Sequence, residues 1–254
     1  MTVAEVERWL DVLYIAAEGA GLRDEDRRKA REVAAMLREI AQVARLVSRR
    51  SPLVLVDAAA GKSYVGLLAA KLVLEPTGRT SSVVTLERDP RRVGLSQLAL
   101  DRLGTSVPVE CRVGEIGDAI NWPEQPSIVA ALHACGPVAD QVIERTVGSR
   151  ARALLLVPCC TSRTVPAAVR AEAEAEHRGI PRHAPVRRRF IQALVDADRT
   201  WRLEAAGYQT EVVELVGPTV TPHNLLWRAR LVGEPVRMAA TRHALERLRE
   251  GPCG

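Results

Sequence analysis

Apolar residues recur along this chain with two different periods. Between residues 3 and 48 they return every three or four positions, at Val3, Val6, Leu10 and Leu13 and then at Val33, Leu37, Ile40, Val43 and Val47. That spacing lines one face of a helix, and it predicts helices over 3–18 and 24–48, joined by 19–23, with Asp24 as the N-cap of the second. After Ser51-Pro52 the pattern changes to short apolar runs alternating with helical stretches. The reading is strand 53–57, helix 62–74, strand 82–87, helix 90–103, strands 107–113 and 127–132, helix 137–147 and strand 153–157. Near-continuous apolar strands separated by helices belong to a parallel sheet covered on both faces. Residues 158–189 read as an excursion, with Pro166, Pro181 and Pro185, a helix at 166–176 and a basic stretch from His177 to Arg189. Helix 190–206, runs 209–216 and 224–232 forming a terminal hairpin, and helix 236–249 complete the chain. The expectation is an α/β protein with a seven-stranded, mostly parallel sheet over 51–254 and an N-terminal helical cap over 1–50.

Two of the strands end on acids. Leu53-Val54-Leu55-Val56-Asp57 breaks at once into Ala58-Ala59-Ala60-Gly61-Lys62-Ser63, and Val83-Val84-Thr85-Leu86 ends at Glu87-Arg88. In a parallel sheet both acids fall on the carboxyl edge, where ligands bind. A carboxylate closing the second strand suits a ribose diol, and small residues after the first let a ligand lie against bare backbone at a helix start. Ala60-Gly61-Lys62-Ser63 looks like the end of a phosphate loop, but the first glycine of that motif would fall at Val56. A dinucleotide fingerprint needs more glycines than Gly61 and Gly66 supply. S-adenosylmethionine carries an adenosine without a phosphate, so it is the expected ligand, with Asp57 toward its methionine end and Lys62 near its carboxylate. After the third strand, Glu115 or Asp118 is placed to read an adenine amine while Ile116 packs on the ring.

Composition narrows the setting. Hydrophobic residues make up 47% of 254 and charged residues 26%, the balance of an ordinary globular protein. No apolar run approaches the ~20 residues that span a bilayer. Residues 1–20 carry acids where a signal peptide would be basic, so a cytoplasmic location with no membrane partner is expected. Cys111, Cys135, Cys159, Cys160 and Cys253 are too few and too oddly numbered for a disulfide framework. The net charge of +5 favours a polyanion weakly, because 33 of the 36 basic residues are arginine, a bias across the whole chain.

The fourth and fifth strands end in Leu132-His133-Ala134-Cys135-Gly136 and Pro158-Cys159-Cys160. If these strands are neighbours, one histidine and three cysteines meet beside the reactive end of the ligand. His133 could take a proton from a hydroxyl or nitrogen acceptor. A metal would need four converging ligands, and adjacent Cys159 and Cys160 should point to opposite sides of a continuing strand, so none is assigned. Packing of the cysteines as small apolar residues is the plainer alternative.

Together these segments resemble the class I S-adenosylmethionine-dependent methyltransferases, and among them a methyltransferase-domain family with G-K-G, L-H-x-C-G and C-C signatures. Its relatives include a tRNA ribose 2′-O-methyltransferase. The resemblance covers about residues 51–160 and departs at Ala59 and Ser63, where the pattern more often has glycine. It implies a Rossmann-like fold and cofactor contacts from Asp57, Gly61 and Glu87, and the strand ends add Ala58, Ala59, Lys62, Arg88, Glu115, Ile116 and Leu132 to the expected cofactor site. The acceptor pocket it implies lies near His133 and Cys135, the expected catalytic residues. RNA is the favoured acceptor, gripped by Arg182, Arg187, Arg188 and Arg189. A small-molecule or protein acceptor, a binding module without turnover and an ATP-binding protein remain open.

Overall fold

The computed structural model describes residues 1–15, 21–160, 162–221 and 224–250. Its sheet has seven strands in the order β3-β2-β1-β4-β5-β7-β6: β1 (Leu53–Ala58), β2 (Ser81–Glu87), β3 (Val109–Val113), β4 (Ile128–Cys135), β5 (Ala153–Cys160), β6 (Tyr208–Glu214) and β7 (Leu225–Leu231). β1 to β5 are parallel, and β7 runs antiparallel to both β5 and β6, as the terminal hairpin requires. β1 and β2 are buried at all but one position each, which is why they read as unbroken apolar runs. The strand order reverses between β1 and β4, and this switch point opens a crevice outside the carboxyl ends. β4 and β5 each run three residues beyond their expected ends, which carries His133, Cys135 and the Cys159-Cys160 pair onto the sheet itself.

Eight α-helices surround this sheet among the described residues. α1 (Val3–Leu10) is closed by a capping box between Thr2 and Glu5, and Asp11–Ile15 continues it as a π-turn. Residues 16–18 of the helix expected over 3–18, residues 19 and 20 of the link and Cys253 lie outside the described residues. α2 (Asp24–Leu46) starts where expected and ends two residues early, but its N-cap is Arg23 rather than Asp24, and there the Asp26 carboxylate accepts the Arg23 N–H at 3.0 Å. Val33, Leu37 and Ile40 of α2 join Leu53, Leu55, Ile128 and Leu155 in one core. Arg228 of β7 donates twice to Glu39 of α2, both at 2.7 Å. α2 is therefore a flanking helix of the sheet, and only its first turns reach the crevice. α3 (Tyr64–Ala69), α4 (Pro90–Leu103) and α5 (Pro137–Gly148) are the crossovers.

The expected excursion is ordered. α6 (Pro166–His177) packs on α7 (Ala184–Ala205), and α8 (Pro235–Glu250) closes the group. Arg187, assigned above to a nucleic-acid phosphate, is instead buried: its Nε donates to Glu172 at 2.8 Å and its other nitrogens to the carbonyls of Ile180 and Glu172 at 3.2 Å. It staples α6 to the start of α7. Arg182 is exposed but pairs with Glu176, while Arg188 and Arg189 face solvent. Below them Arg199, fully buried, reaches Asp140 of α5 at 3.0 Å, and Asp198 receives Arg170 and Arg249 at 2.9 and 3.0 Å. No helix among the described residues is long and apolar enough to cross a membrane.

Two local features carry stability predictions. Ser63 has φ +58° and no space around it, and its Oγ has no hydrogen-bond partner among the described residues. A left-handed backbone costs an L-residue ~1–2 kcal/mol and a buried unpaired hydroxyl ~1–3, against ~0.5–1 for the freedom glycine brings to the unfolded chain. Ser63→Gly is expected to raise the melting temperature by a few degrees, read by calorimetry. Cys135 and Cys159 form a disulfide across the ends of β4 and β5 with a sequence separation of 24. It is a single tie between neighbouring strands, which the cysteine count alone did not foretell. Closing a loop of that length stabilises by ~3 kcal/mol, so dithiothreitol is expected to release two thiols to Ellman's reagent and lower the midpoint of denaturation.

Candidate active site

The crevice is built from the β1 end outward. Asp57 is 2% exposed, and its Oδ2 accepts the Gly66 N–H at 2.7 Å. Burial pushes its carboxyl up to about 7; the Gly66 N–H opposes the shift and the nearby Glu87 charge adds to it. Glu87, on the neighbouring strand, accepts the Gly61 N–H at 2.8 Å and the Asp89 N–H at 3.0 Å. The two acids thus share one edge, as the sequence implied, and Glu87 ties the β1 turn to the end of β2.

That turn passes through the left-handed region three times, at Ala59 (φ +56°), Gly61 (+59°) and Ser63 (+58°). Ala59 and Ser63 stand where the family pattern more often has glycine, and the backbone there explains that preference. Ala58 is buried, while Ala59, Gly61 and Lys62 are partly open. A Cβ built on Gly61 would meet nothing within 4 Å, so the turn faces free space.

The N-terminal elements hold the turn from above. The Tyr14 hydroxyl donates to the Lys62 carbonyl at 2.7 Å, the Tyr14 ring meets Tyr64 edge-on at 4.6 Å, and Lys29 stands 5.0 Å over the Tyr64 ring. Burial drives the Tyr14 hydroxyl above its ordinary range, so it stays a donor at every physiological pH. Below this lid a cleft of about 500 Å³ is lined by Asp57, Ala59, Gly61, Lys62, Leu132 and His133, among others. Glu87, Arg88, Glu115 and Ile116 do not line it; they lie along the β2–β3 part of the edge. Ile116 is buried, with its carbonyl taken by the Trp122 indole at 2.8 Å, while Arg88, Glu115 and Asp118 are exposed.

At the ends of β4 and β5 the register shifts between Leu132 and Ala134 and again before Cys135. His133 sits in this bulge with φ +65°. The shift turns its ring toward α2, where Nε2 lies 3.0 Å from Oε2 of Glu32, a carboxylate 6% exposed. Sequence reading missed Glu32. The available signal was an acid inside the apolar stripe of α2, two turns before Glu39, which is buried for a partner of its own.

The sulfurs of Cys135, Cys159 and Cys160 do come together, within 4.8 Å of one another. The His133 ring does not join them; only its carbonyl does, 3.5 and 3.6 Å from the sulfurs of Cys135 and Cys159. Cys159 and Cys160 also share a side, with sulfurs 3.9 Å apart, because regular alternation fails at the register shift. Cys135, expected to be catalytic, is bonded to Cys159 and offers no thiol in this form.

These residues fit S-adenosylmethionine. Glu87 spends one lone pair of each oxygen on backbone and keeps others for a ribose diol, the Ala60, Gly61 and Ser63 amides are donated to Leu86, Glu87 and Ala60 rather than left for a phosphate, and an acid sits at the base of an open cleft.

Comparisons agree. Residues 28–165 match a family described as a methyltransferase domain. A glutathione S-transferase C-terminal domain-containing protein of Xenopus laevis is 30% identical over 131 residues; the match covers 43% of this chain and 21% of that protein. In structure, the chain is similar to the Podospora anserina methyltransferase PaMTH1 bound to S-adenosylhomocysteine, with a TM-score of 0.51, 13% identity and coverage of 91% of this chain and 87% of that one. Magnesium protoporphyrin IX methyltransferase of Synechocystis PCC 6803 gives 0.48, with 12% identity over 91% and 100%. With more than half of its residues matched, the chain belongs to the methyltransferase-domain family.

Proposed function

We propose that the protein methylates RNA, received over the β4–β5 side of the carboxyl edge. The observation that carries this reading is an arginine- and aromatic-lined cleft on the overhang of α7, flanked by exposed Arg188 and Arg189. Thr200 of α7 bonds Trp227, whose β5 partner is Leu156 in mid-sheet. The helix before Thr200 rises about 24 Å, whereas β5 gains only about 13 Å from Leu156 to its end. The first turns of α7 therefore stand above the edge, beside the acceptor side. There a cleft of about 720 Å³ between α6, α7 and α8 is lined by Phe190 and Leu194 with Arg170, Arg178, Arg247 and Arg249, of which Arg170 and Arg249 pair with Asp198 and Arg178 with Glu174. An aromatic face among guanidinium groups is what an unpaired base and its phosphate recognise. Exposed Arg188 and Arg189 extend the charge.

When bound, the cofactor supplies an electrophilic methyl carbon on a sulfonium. Asp57 and Glu87 hold it by its cationic and diol ends, and the lid of Tyr14, Lys29 and Tyr64 limits water at the turn. Rate then comes chiefly from holding the acceptor in line with that carbon.

Two measurements test this. Arg188→Glu with Arg189→Glu is expected to weaken binding of bulk RNA about tenfold at low salt and to reduce the slope of log affinity against log salt by ~1.4 for single strands, while Phe190→Ala weakens binding without altering the slope. RNA that fails to bind at low salt, with tritiated methyl entering a metabolite fraction below 3 kDa instead, would overturn the acceptor assignment.

Asp57 gives the second test. With its carboxyl held up to about 7 in the free protein, it is protonated below that pH and must ionise to face a cationic ligand. Affinity for S-adenosylmethionine is expected to rise up to tenfold per pH unit toward 7 and level off above it. The same shift makes the free protein lose stability as pH rises from about 4 through about 7, since the folded state holds the proton more tightly than the unfolded chain. Asp57→Asn should flatten both profiles, checked by calorimetry across pH 5 to 8.

A further inference from the structure

We infer that Glu32 and His133 form a proton-accepting pair in which Nδ1 of His133 takes the proton, so that the acceptor atom is a neutral O–H or N–H rather than a thiolate or an existing anion. The inference rests on the methyltransferase reading of the crevice and specifies what that crevice accepts.

Glu32 is buried on α2, and its single hydrogen-bond partner among the described residues is Nε2 of His133 at 3.0 Å. A carboxylate taken out of water with one partner needs a donor there. An ionised carboxylate can only accept a hydrogen bond, so the ring nitrogen that faces Glu32 carries the hydrogen. Nε2–H then donates to Glu32, and the neutral ring is left with an unprotonated Nδ1. His133 lines the cleft together with Asp57, Gly61 and Leu132. The same logic operates wherever a buried carboxylate fixes the tautomer of a catalytic histidine through the nitrogen that does not face substrate.

The backbone shows that this orientation is held against resistance. A regular β4 would alternate Leu132 and His133 across the sheet, but the register shift and the left-handed φ of +65° turn the imidazole toward α2. Unusual φ values in a non-glycine residue persist where the surroundings impose them. Here the surroundings are Glu32 on one side and the disulfide-tied ends of β4 and β5 on the other.

The proposed step balances without an added reagent. An acceptor oxygen or nitrogen forms a bond to the methyl carbon, its O–H or N–H bond breaks, and the proton moves to Nδ1 of His133 while Glu32 keeps Nε2–H. The electron pair of the broken carbon–sulfur bond stays on sulfur, which becomes a neutral thioether. The proton leaves Nδ1 to water after release of product. Glu32 is a positioning residue in this scheme; His133 is the catalytic one.

The test reads the tautomer directly. In protein labelled with ¹⁵N-histidine, the ring signals of His133, identified by their loss in His133→Gln, are expected at pH 8 to show hydrogen on Nε2 in the wild type and a mixture of both tautomers in Glu32→Gln. Calorimetry with S-adenosylhomocysteine is expected to give affinities within about fivefold of wild type for both variants. Transfer of tritiated methyl to bulk RNA is expected to fall about tenfold in Glu32→Gln and 100-fold or more in His133→Gln. Hydrogen on Nδ1 in the wild type, or full transfer by His133→Gln, overturns the proposal. Wild-type protein that does not bind S-adenosylhomocysteine overturns the cofactor reading instead, and the tautomer result stands apart from it.

Discussion

Asp57 accepts the Gly66 amide inside the protein, and much of the crevice follows from that single bond. It pins the end of β1 to the first turn of α3 and leaves no room for a side chain between them. A Cβ on Gly66 would lie 2.6 Å from Thr85 Cγ2 and 3.0 Å from Asp57 itself. Residue 66 must be glycine so that the acid can sit this deep, and the depth is what raises its carboxyl toward neutrality. With the helix start drawn so close, the chain between 58 and 64 has to turn sharply. It does so through three left-handed residues, and Glu87 then ties the turn to β2 through the Gly61 amide. One hydrogen bond thereby sets the shape of the turn, the electrostatics beneath it and the distance between the two acids.

A second constraint comes from α2. Its apolar stripe supplies part of the core under the sheet, and its two buried acids reach opposite places: Glu39 takes the Arg228 guanidinium of β7, and Glu32 takes the imidazole at the end of β4. The helix is therefore fixed at its middle by an ion pair with both oxygens engaged, and its first half is delivered to the crevice at a defined height. A bidentate arginine pair is directional in a way that apolar packing is not, which suits a helix that has to present one carboxylate accurately. The N-terminal segment is thus part of the site's construction, with Tyr14 and Lys29 closing over the turn from the same side.

Much of this was legible in the chain. The strands β1, β2, β4 and β5 and the helix α4 declare themselves because burial on both faces demands unbroken apolar runs, and because Asp89-Pro90 and Leu103-Gly104 are strong start and stop signals. Asp57 and Glu87 could be placed together because a parallel sheet puts every strand end on one edge. Three features were not legible. The bulge at His133 depends on pairing with β5 rather than on local sequence, so neither the extra length of β4 nor the turned ring was visible. Arg187 looked like one of four surface arginines, because nothing in its neighbourhood marks it as the one that packs against Glu172 on the preceding helix. Glu32 was hidden for the opposite reason: an acid in a helix rich in charge passes for solvent-facing until the partner, about a hundred residues away, is known.

Backbone strain separates the residues that shape the edge from those that act there. Of the five non-glycine residues with positive φ among the described residues, Gln125 and Arg150 precede β4 and β5 at the far edge. Ala59, Ser63 and His133 stand at the carboxyl edge. For Ser63 the side chain buries a hydroxyl that finds no partner, and for Ala59 a single methyl group lines the cleft, so glycine would relax the backbone at either position without stranding a buried partner. His133 is different. Glycine would relax the same backbone there but would strand Glu32 in the interior without its donor, at a cost comparable to an unpaired buried charge. Strain that could be removed by glycine, yet is coupled to a buried partner, is the arrangement expected where the side chain is needed for chemistry, and it is what distinguishes His133 from its two neighbours along the same edge.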